Sequence, residues 1–368
     1  MAVYRIYPEA DTFITSFKSE SNAGIDEIVE LASFPNQVVK GESSRILVKF
    51  KDSEIQSTLN DLVSNSFSAS INYSVADATE LPETIEVYAW PLAESFTKGV
   101  GKINDIPTDR SGVTWKHRNA NRSNQWQLSV FPTYATGSFS GSNTGGGSWY
   151  TGSIGIDLEA TSSFSYEDKK DLDINVTEAV KLHFSSSITN NGFIIKLQDS
   201  LEFNTTSSIN LKYFSENTNT TYRPYLQFKW DDSSFNTGSN SILSTDKATI
   251  GVNNNTGEYS NKGKKRFRLN SKPKYPTRVY TTGSVYKTNY ALPSSSTYAI
   301  QDDFTKENII DFDSTFTKIS CDSEGSFFDL YLTNLEPERY YRILISSSLD
   351  GSDVIIDDDN IFKVVKHG

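Results

Sequence analysis

A single cysteine, Cys321, in 368 residues excludes an internal disulfide framework. Its acidic neighbours Asp322 and Glu324 disfavour a thiolate, so the thiol is expected to be inert. Histidine is almost as scarce. His117, His183 and His367 are the whole set, and none stands in an HExxH pattern or beside cysteine at zinc spacing. No run of ~18 apolar residues occurs, which argues against a membrane-spanning helix. The opening MAVYRIYPEADTFI has no apolar signal-peptide core, so the expectation is a soluble chain made in the cytoplasm without a cleaved signal. Basic residues are outnumbered by acidic ones, and the net charge of -11 repels nucleic-acid phosphates.

The familiar catalytic signatures are missing too. GSFSG (137–141) places Phe139 where a serine nucleophile belongs. Gly257 stands one residue too far from Gly263-Lys264 for a phosphate loop, and Lys265 replaces the required Ser or Thr. The sequence therefore assigns no catalytic residue, no cofactor and no resident metal.

Aromatic residues, at 12%, are abundant, with 19 Tyr and 22 Phe. Such side chains, with Thr and Val, pack well on a pleated surface and favour strands. Short alternating runs such as RILVKF (45–50), TIEVYAW (84–90), GFIIKL (192–197), INLKYF (209–214) and YLQFKW (225–230) are separated by Ser, Asn, Asp, Pro or Gly. That punctuation predicts a β-sandwich or barrel. The one good helical segment is Thr177–Phe184, about two turns, with Thr177 able to cap its free amides.

The glycine- and serine-rich stretch 135–153 reads as a long surface loop, and 233–247 as a linker. The expected division is a jelly-roll β-sandwich over 1–232 and a smaller Ig-like or fibronectin-like β-sandwich over 248–368. Within the second, NLEPERYYRILI places Pro337 between two strands. A tyrosine just after that corner can reach back to a backbone group, as in Ig-like sandwiches.

ADTFI, SNAG, SRILVKF, EVYAWPLAESFTKG, VTWKHR, DINVTEAV, NNGFIIKL and RPYLQFKW follow one another across Ala10–Trp230. In their order and spacing they resemble the DNRLRE-type jelly-roll domain of surface proteins and phage structural proteins. KPKYPTR, YALPSSSTYAIQD, the stretch from Ile309 to Leu332, and LEPERYYRILI are similar to segments of virion structural proteins of contractile-tailed bacteriophages. The resemblance implies a non-enzymatic tail or baseplate component located in the virion, with other virion proteins as partners in a homo- or hetero-oligomeric assembly. The rival reading is a carbohydrate-binding or adhesion module for a cell-surface glycan.

DLDIN (171–175) fits half of a calcium loop. Val176 stands where the loop needs Gly, and Leu182 where it needs Glu. Leu172, Ile174 and Val176 alternate with Asp171, Asp173 and Asn175, so a strand with one solvated face is the favoured reading. DVIIDDDN (353–360) could ligate calcium or form a solvated turn between strands, and the turn is favoured. His183, closing the short helix, is expected to meet the helix dipole as a cation.

Two candidate interaction sites remain. Lys264, Arg266 and Arg268 alternate along one strand and form a candidate subunit contact for an acidic neighbour, with a solvated strand as the next reading and nucleic acid last. Trp149 and Tyr150, beside GGG, are the candidate glycan-stacking pair. Trp90 and Trp115 are expected in the core.

Overall fold

A computed structural model describes residues 2–35, 42–60, 66–126, 145–153, 156–202, 206, 208–253, 255–276 and 289–366. The architecture is all-β, with two short α-helices, Asp52–Asn60 and Thr177–Phe184, and a 3-10 turn, Leu332–Asn334, among the described residues. The chain divides into two compact units: Ile6–Asp61 with Ser68–Gln227, and Met1–Arg5, Leu62–Phe67 and Phe228–Gly368.

The larger unit is built on an eight-stranded sheet. Its order is Ala160–Ser165, Thr84–Pro91, Phe193–Leu197, Glu42–Phe50, Ile28–Phe34, Ile209–Phe214 and Val75–Thr79, with Pro8–Thr15 also paired to Glu42–Phe50. Central strands are buried on both faces. Phe193–Leu197 is buried at every position, whereas Ile209–Phe214 alternates buried and half-buried, as a strand with one covered face must. In a second layer, Leu172–Asn175 pairs antiparallel with Ser70–Tyr73. Leu172 and Ile174 are buried and Asp173 and Asn175 exposed, so DLDIN is a strand. Asp171 Oδ1 accepts a hydrogen bond from Val75 N at 2.7 Å.

Thr177 does not cap its helix. The N-cap is Val176, and the Thr177 hydroxyl instead accepts from Ala69 N at 2.9 Å, tying the helix to its neighbouring strand. The cap position lies outside helical dihedrals by definition, so a Thr one residue further on cannot serve it.

Asn22, wholly buried, fastens three loop segments of this unit. Its Nδ2 donates to Lys98 O and Val113 O at 2.7 and 2.8 Å. Its Oδ1 accepts from Gly24 N and Gly101 N at 3.2 and 2.9 Å. Every lone pair and proton of the amide is used. The backbone packs so closely there that a Cβ on Gly112 would lie 2.5 Å from Gly99 Cα.

The smaller unit pairs a four-stranded sheet, ordered Ala248–Asn253, Lys264–Pro273, Gly325–Tyr331 and Ser320–Asp322, with a sheet centred on Arg339–Leu349. Its core stacks Phe267, Phe328 and Tyr298, with ring centroids 5.4 and 4.2 Å apart along the stack. Val3 belongs to this core, and Asn334 holds the N-terminal strand by accepting from Arg5 N at 2.8 Å and donating to Val3 O. Residues 233–247, expected as a linker, are packed into this unit. Asn236 N donates to Cys321 O, Leu243 N donates to Ala291 O, and Leu243 is buried. The stretch is short of apolar residues because side-chain turns and backbone bonds hold it, with Leu243 as its anchor.

The open edge of Ala248–Asn253 is closed by side chains. Asp358 Oδ2 accepts from Ile250 N at 2.7 Å, and Asn360 Oδ1 from Val252 N at 3.2 Å. Two amides that would otherwise invite another strand are thereby occupied.

Candidate functional site

Lys264, Arg266 and Arg268 share a strand face, as their spacing requires, while Phe267 and Leu269 are buried on the other. The cations meet carboxylates across the sheet. Arg266 makes a two-pronged pair with Asp329 at 2.8 and 3.0 Å, and Lys264 approaches the same carboxylate at 3.1 Å. Arg268 forks onto Asp322 at 2.9 and 2.8 Å and reaches Glu324 at 3.0 Å. The Arg266 guanidinium lies 4.0 Å over the Phe327 ring. Hydrogen bonds to Asp329 and Asp322 raise the pKa of Arg266 and Arg268 respectively. The same contacts hold Asp322 below the ordinary carboxylate range, and those from Arg266 and Lys264 do so for Asp329 despite its burial. The patch is therefore a ladder of internal ion pairs, largely neutralised within its own sheet.

Trp149 and Tyr150 are not an exposed platform. Each is only 7% accessible, which corrects the expectation of a ring face open to sugar. Trp149 packs with Trp90, Trp115 and Trp126 in one cluster. Arg45 passes between two of these rings, its guanidinium 4.9 Å from the Trp115 centroid and 5.2 Å from that of Trp149. Arg45 is itself buried and binds Glu202 through Nε and Nη2 at 2.6 and 2.9 Å. Lys196 Nζ adds a contact to Glu202 at 3.2 Å and lies 5.4 Å from the Trp149 ring. Two cations, the buried Glu202 carboxylate and two indoles thus share a buried centre, where paired charges are tolerated and lone ones are not, and Lys196 also reaches the exposed Asp199 at its edge.

Three glycines complete this centre. Gly145, Gly146 and Gly147 have φ of 130°, 91° and 102°, and Gly146 O accepts from Arg45 Nη1. A Cβ at Gly146 would stand 2.7 Å from the Trp115 ring and 2.8 Å from Arg45 Nη1. Residues 145–150 are buried throughout, so the described end of the expected surface loop is a core element. Residues 135–144 and Tyr134 lie outside the described residues.

The acidic run near the C-terminus is a fastening device. Asp358 and Asn360 serve the strand edge described above, while Asp357 and Asp359 bind Arg342 Nη1 at 2.9 and 2.6 Å. Asp303 adds a third carboxylate to Arg342 at 3.0 Å. Among the described residues, no group of three or more His, Cys, Asp or Glu is placed to hold a metal ion.

His183 lies inside, only 6% exposed, with its ring 5.5 Å from that of Phe193. Burial lowers its pKa to about 4, so it is neutral near pH 7 and cannot be the cation expected at the helix end. The helix turns this position toward the sheet, and packing overrides the dipole. His117 is held by Thr114 and Arg122, its Nδ1 3.1 Å from Arg122 Nη1, and burial lowers its pKa. His367 lies outside the described residues. Burial raises the Cys321 pKa, with Asp322 adding to it, in keeping with an inert thiol.

One polar centre had no signal in the sequence. Asp11, 1% exposed, accepts from Glu216 N at 2.9 Å through Oδ2, while its Oδ1 has no partner. Burial raises its pKa to about 7, with the nearby Glu216 carboxylate adding to the effect. Lys98 Nζ sits 2.5 Å from Glu216 Oε1 and 3.3 Å from Asn217 Oδ1. The participants are contributed by residues 11, 98 and 216–217, and only the fold joins them.

No protein-family model matches the chain, and no curated protein matches it significantly. No described helix is long and apolar enough to cross a membrane.

Proposed function

We propose that this protein is a non-enzymatic structural component of a tailed-bacteriophage virion, a tail or baseplate assembly protein acting through subunit contacts. The sequence resemblance points to that setting. The observation that carries the reading is a rigidly presented aromatic pair on the smaller unit. Phe304 is 91% exposed and Tyr340 57% exposed. The turn bearing Phe304 is locked by Asp302 Oδ1, which accepts from Phe304 N and Thr305 N, both at 2.9 Å. Asp303 N donates to Tyr340 O, so the turn is tied to the strand that carries the second ring. Large apolar rings left in water on a backbone already fixed suit a partner surface, since docking need not order the turn itself.

The buried charges support the same reading. Arg45, Glu202 and Lys196, and on the surface Arg342 with three aspartates, hold the scaffold together. The contact surface is thus better sought at Phe304 and Tyr340 than at the neutralised strand of Lys264, Arg266 and Arg268.

Two measurements test this. Mass spectrometry of purified phage particles should find the chain as a stoichiometric component. Sedimentation of the purified protein should show an oligomer that Phe304→Ser with Tyr340→Ser weakens by at least about tenfold, as loss of an aromatic anchor typically does. A monomer at high concentration that is also missing from particles would overturn the proposal.

A further inference from the structure

The cluster of Lys98, Glu216 and Asn217 has a composition that goes beyond an ion pair. An amine, a primary carboxamide and a carboxylate meet at the edge of the larger unit's core. Lys98 Nζ lies 2.5 Å from Glu216 Oε1 and 3.3 Å from Asn217 Oδ1. The amide is not free to turn away: Asn217 Nδ2 donates to Gly24 O at 3.3 Å, and Asn217 N to Ser215 Oγ at 3.1 Å. Glu216 is fixed from behind by Asp11, and its Oε2 is buried with no partner. The Lys98 and Glu216 side chains are partly buried, 17% and 23% exposed.

We propose that Lys98 and Asn217 join in an intramolecular isopeptide bond. Glu216 Oε1 takes a proton from the Lys98 ammonium, freeing the amine lone pair to attack Asn217 Cγ. In the tetrahedral adduct the proton held by Glu216 passes to the amide nitrogen, which is expelled as ammonia. The proton left on the attacking nitrogen then moves to that ammonia, which departs as ammonium. One C–N bond forms, one breaks, and the ammonium released carries off the positive charge that Lys98 brought. Neither an oxidant nor an external reactant is required.

Proximity supplies what the reaction lacks in water. A carboxamide is a poor electrophile, but holding amine and amide at contact distance in a confined site raises their effective concentration enormously. Asp11 Oδ2 accepts the backbone N–H of Glu216 at 2.9 Å and so fixes the carboxylate-bearing residue beside the amine. Asp11 acts here as a positioning residue. The product would close a loop of well over a hundred residues (Lys98 and Asn217 are 119 apart), restricting the unfolded chain as a disulfide does in a protein whose one cysteine precludes an internal disulfide. Such a bond suits a scaffold and does not depend on the virion reading.

Intact-mass spectrometry of the purified full chain tests the proposal. The expected mass is lower than the sequence mass by one molecule of ammonia. A protease digest should contain a branched peptide joining the segments around Lys98 and Asn217. Lys98→Arg keeps the positive charge beside Glu216 but offers a poor nucleophile, and it should restore the full mass, as should Glu216→Gln. A wild-type chain that keeps the full sequence mass after prolonged incubation at mildly alkaline pH overturns the proposal. So does an ammonia loss that persists in Lys98→Arg, which would mark cyclisation of an asparagine with its own backbone. The digest of the wild-type chain decides the matter even if a variant fails to fold.

Discussion

Tyr341 donates its hydroxyl to the backbone carbonyl of Glu336 at 2.9 Å, spanning the corner at Pro337 that follows the 3-10 turn Leu332–Asn334 and leads into the strand beginning at Arg339. Its ring is buried against Phe362, the centroids 5.8 Å apart. The bond fixes where the long central strand Arg339–Leu349 enters its sheet. Tyr341→Phe keeps the ring and leaves that carbonyl without this donor. The expected loss is about 1–2 kcal/mol in denaturant unfolding, with the slope on denaturant unchanged.

Arg45 and Glu202 should behave as a unit. Arg45→Met strands a buried carboxylate that Lys196 alone must balance, and should cost about 3–5 kcal/mol. The double variant Arg45→Met with Glu202→Leu should be less destabilised than the sum of its two singles. A double-mutant cycle by urea unfolding measures that coupling, expected to exceed ~1 kcal/mol.

Asp11 gives a signed pH dependence. Its folded pKa, near 7, lies above the ordinary carboxylate value near 4, so the folded state holds a proton that the unfolded state releases. Its contribution is complete below about pH 4 and is lost as pH rises through about 7. Asp11→Asn removes that slope. Relative to the parent, the variant should gain on the order of 4 kcal/mol between pH 4 and pH 7, read from unfolding curves at several pH values.

His183 works in the opposite sense over much of the same window. Its folded pKa of about 4 lies below the usual value near 6.5, so stability is present above about pH 6.5 and is lost as pH falls through about 4. His183→Leu should resist acid better than the parent by on the order of 3 kcal/mol at pH 4. Because the two groups partly cancel, the parent protein's own pH profile should be flatter than that of either variant.

Edge protection can be tested by its removal. Asp358→Ala with Asn360→Ala frees the amides of Ile250 and Val252. The variant should aggregate further through strand pairing, seen as light scattering that rises with concentration beyond that of the parent protein's own oligomer.

Alternation was legible in the sequence because it is local: DLDIN and INLKYF reveal their buried faces within a few residues. The tyrosine corner was legible for the same reason, since Tyr341 and Glu336 are five residues apart. What escaped were the partners. Arg45 and Glu202 are separated by 157 residues, and Arg266 and Asp329 by 63, so only strand register brings them together. For that reason a run of cations looked like an open patch, and Trp149 beside three glycines looked exposed. Glycine there is required for close approach to Trp115 and Arg45, a need that composition cannot distinguish from looseness. His183 misled because its position at a helix end is visible in the sequence, while the direction of its ring is not.

The amide of Asn22 also bears on how the protein ages. Hydrolysis to aspartate, the common fate of asparagine on long storage, would swap two donors for an oxygen facing the carbonyls of Lys98 and Val113. That exchange would loosen the knot joining three loops. The same four bonds that make the change harmful also pin the side chain away from the backbone attack that starts it, so this asparagine should outlast those exposed elsewhere on the surface.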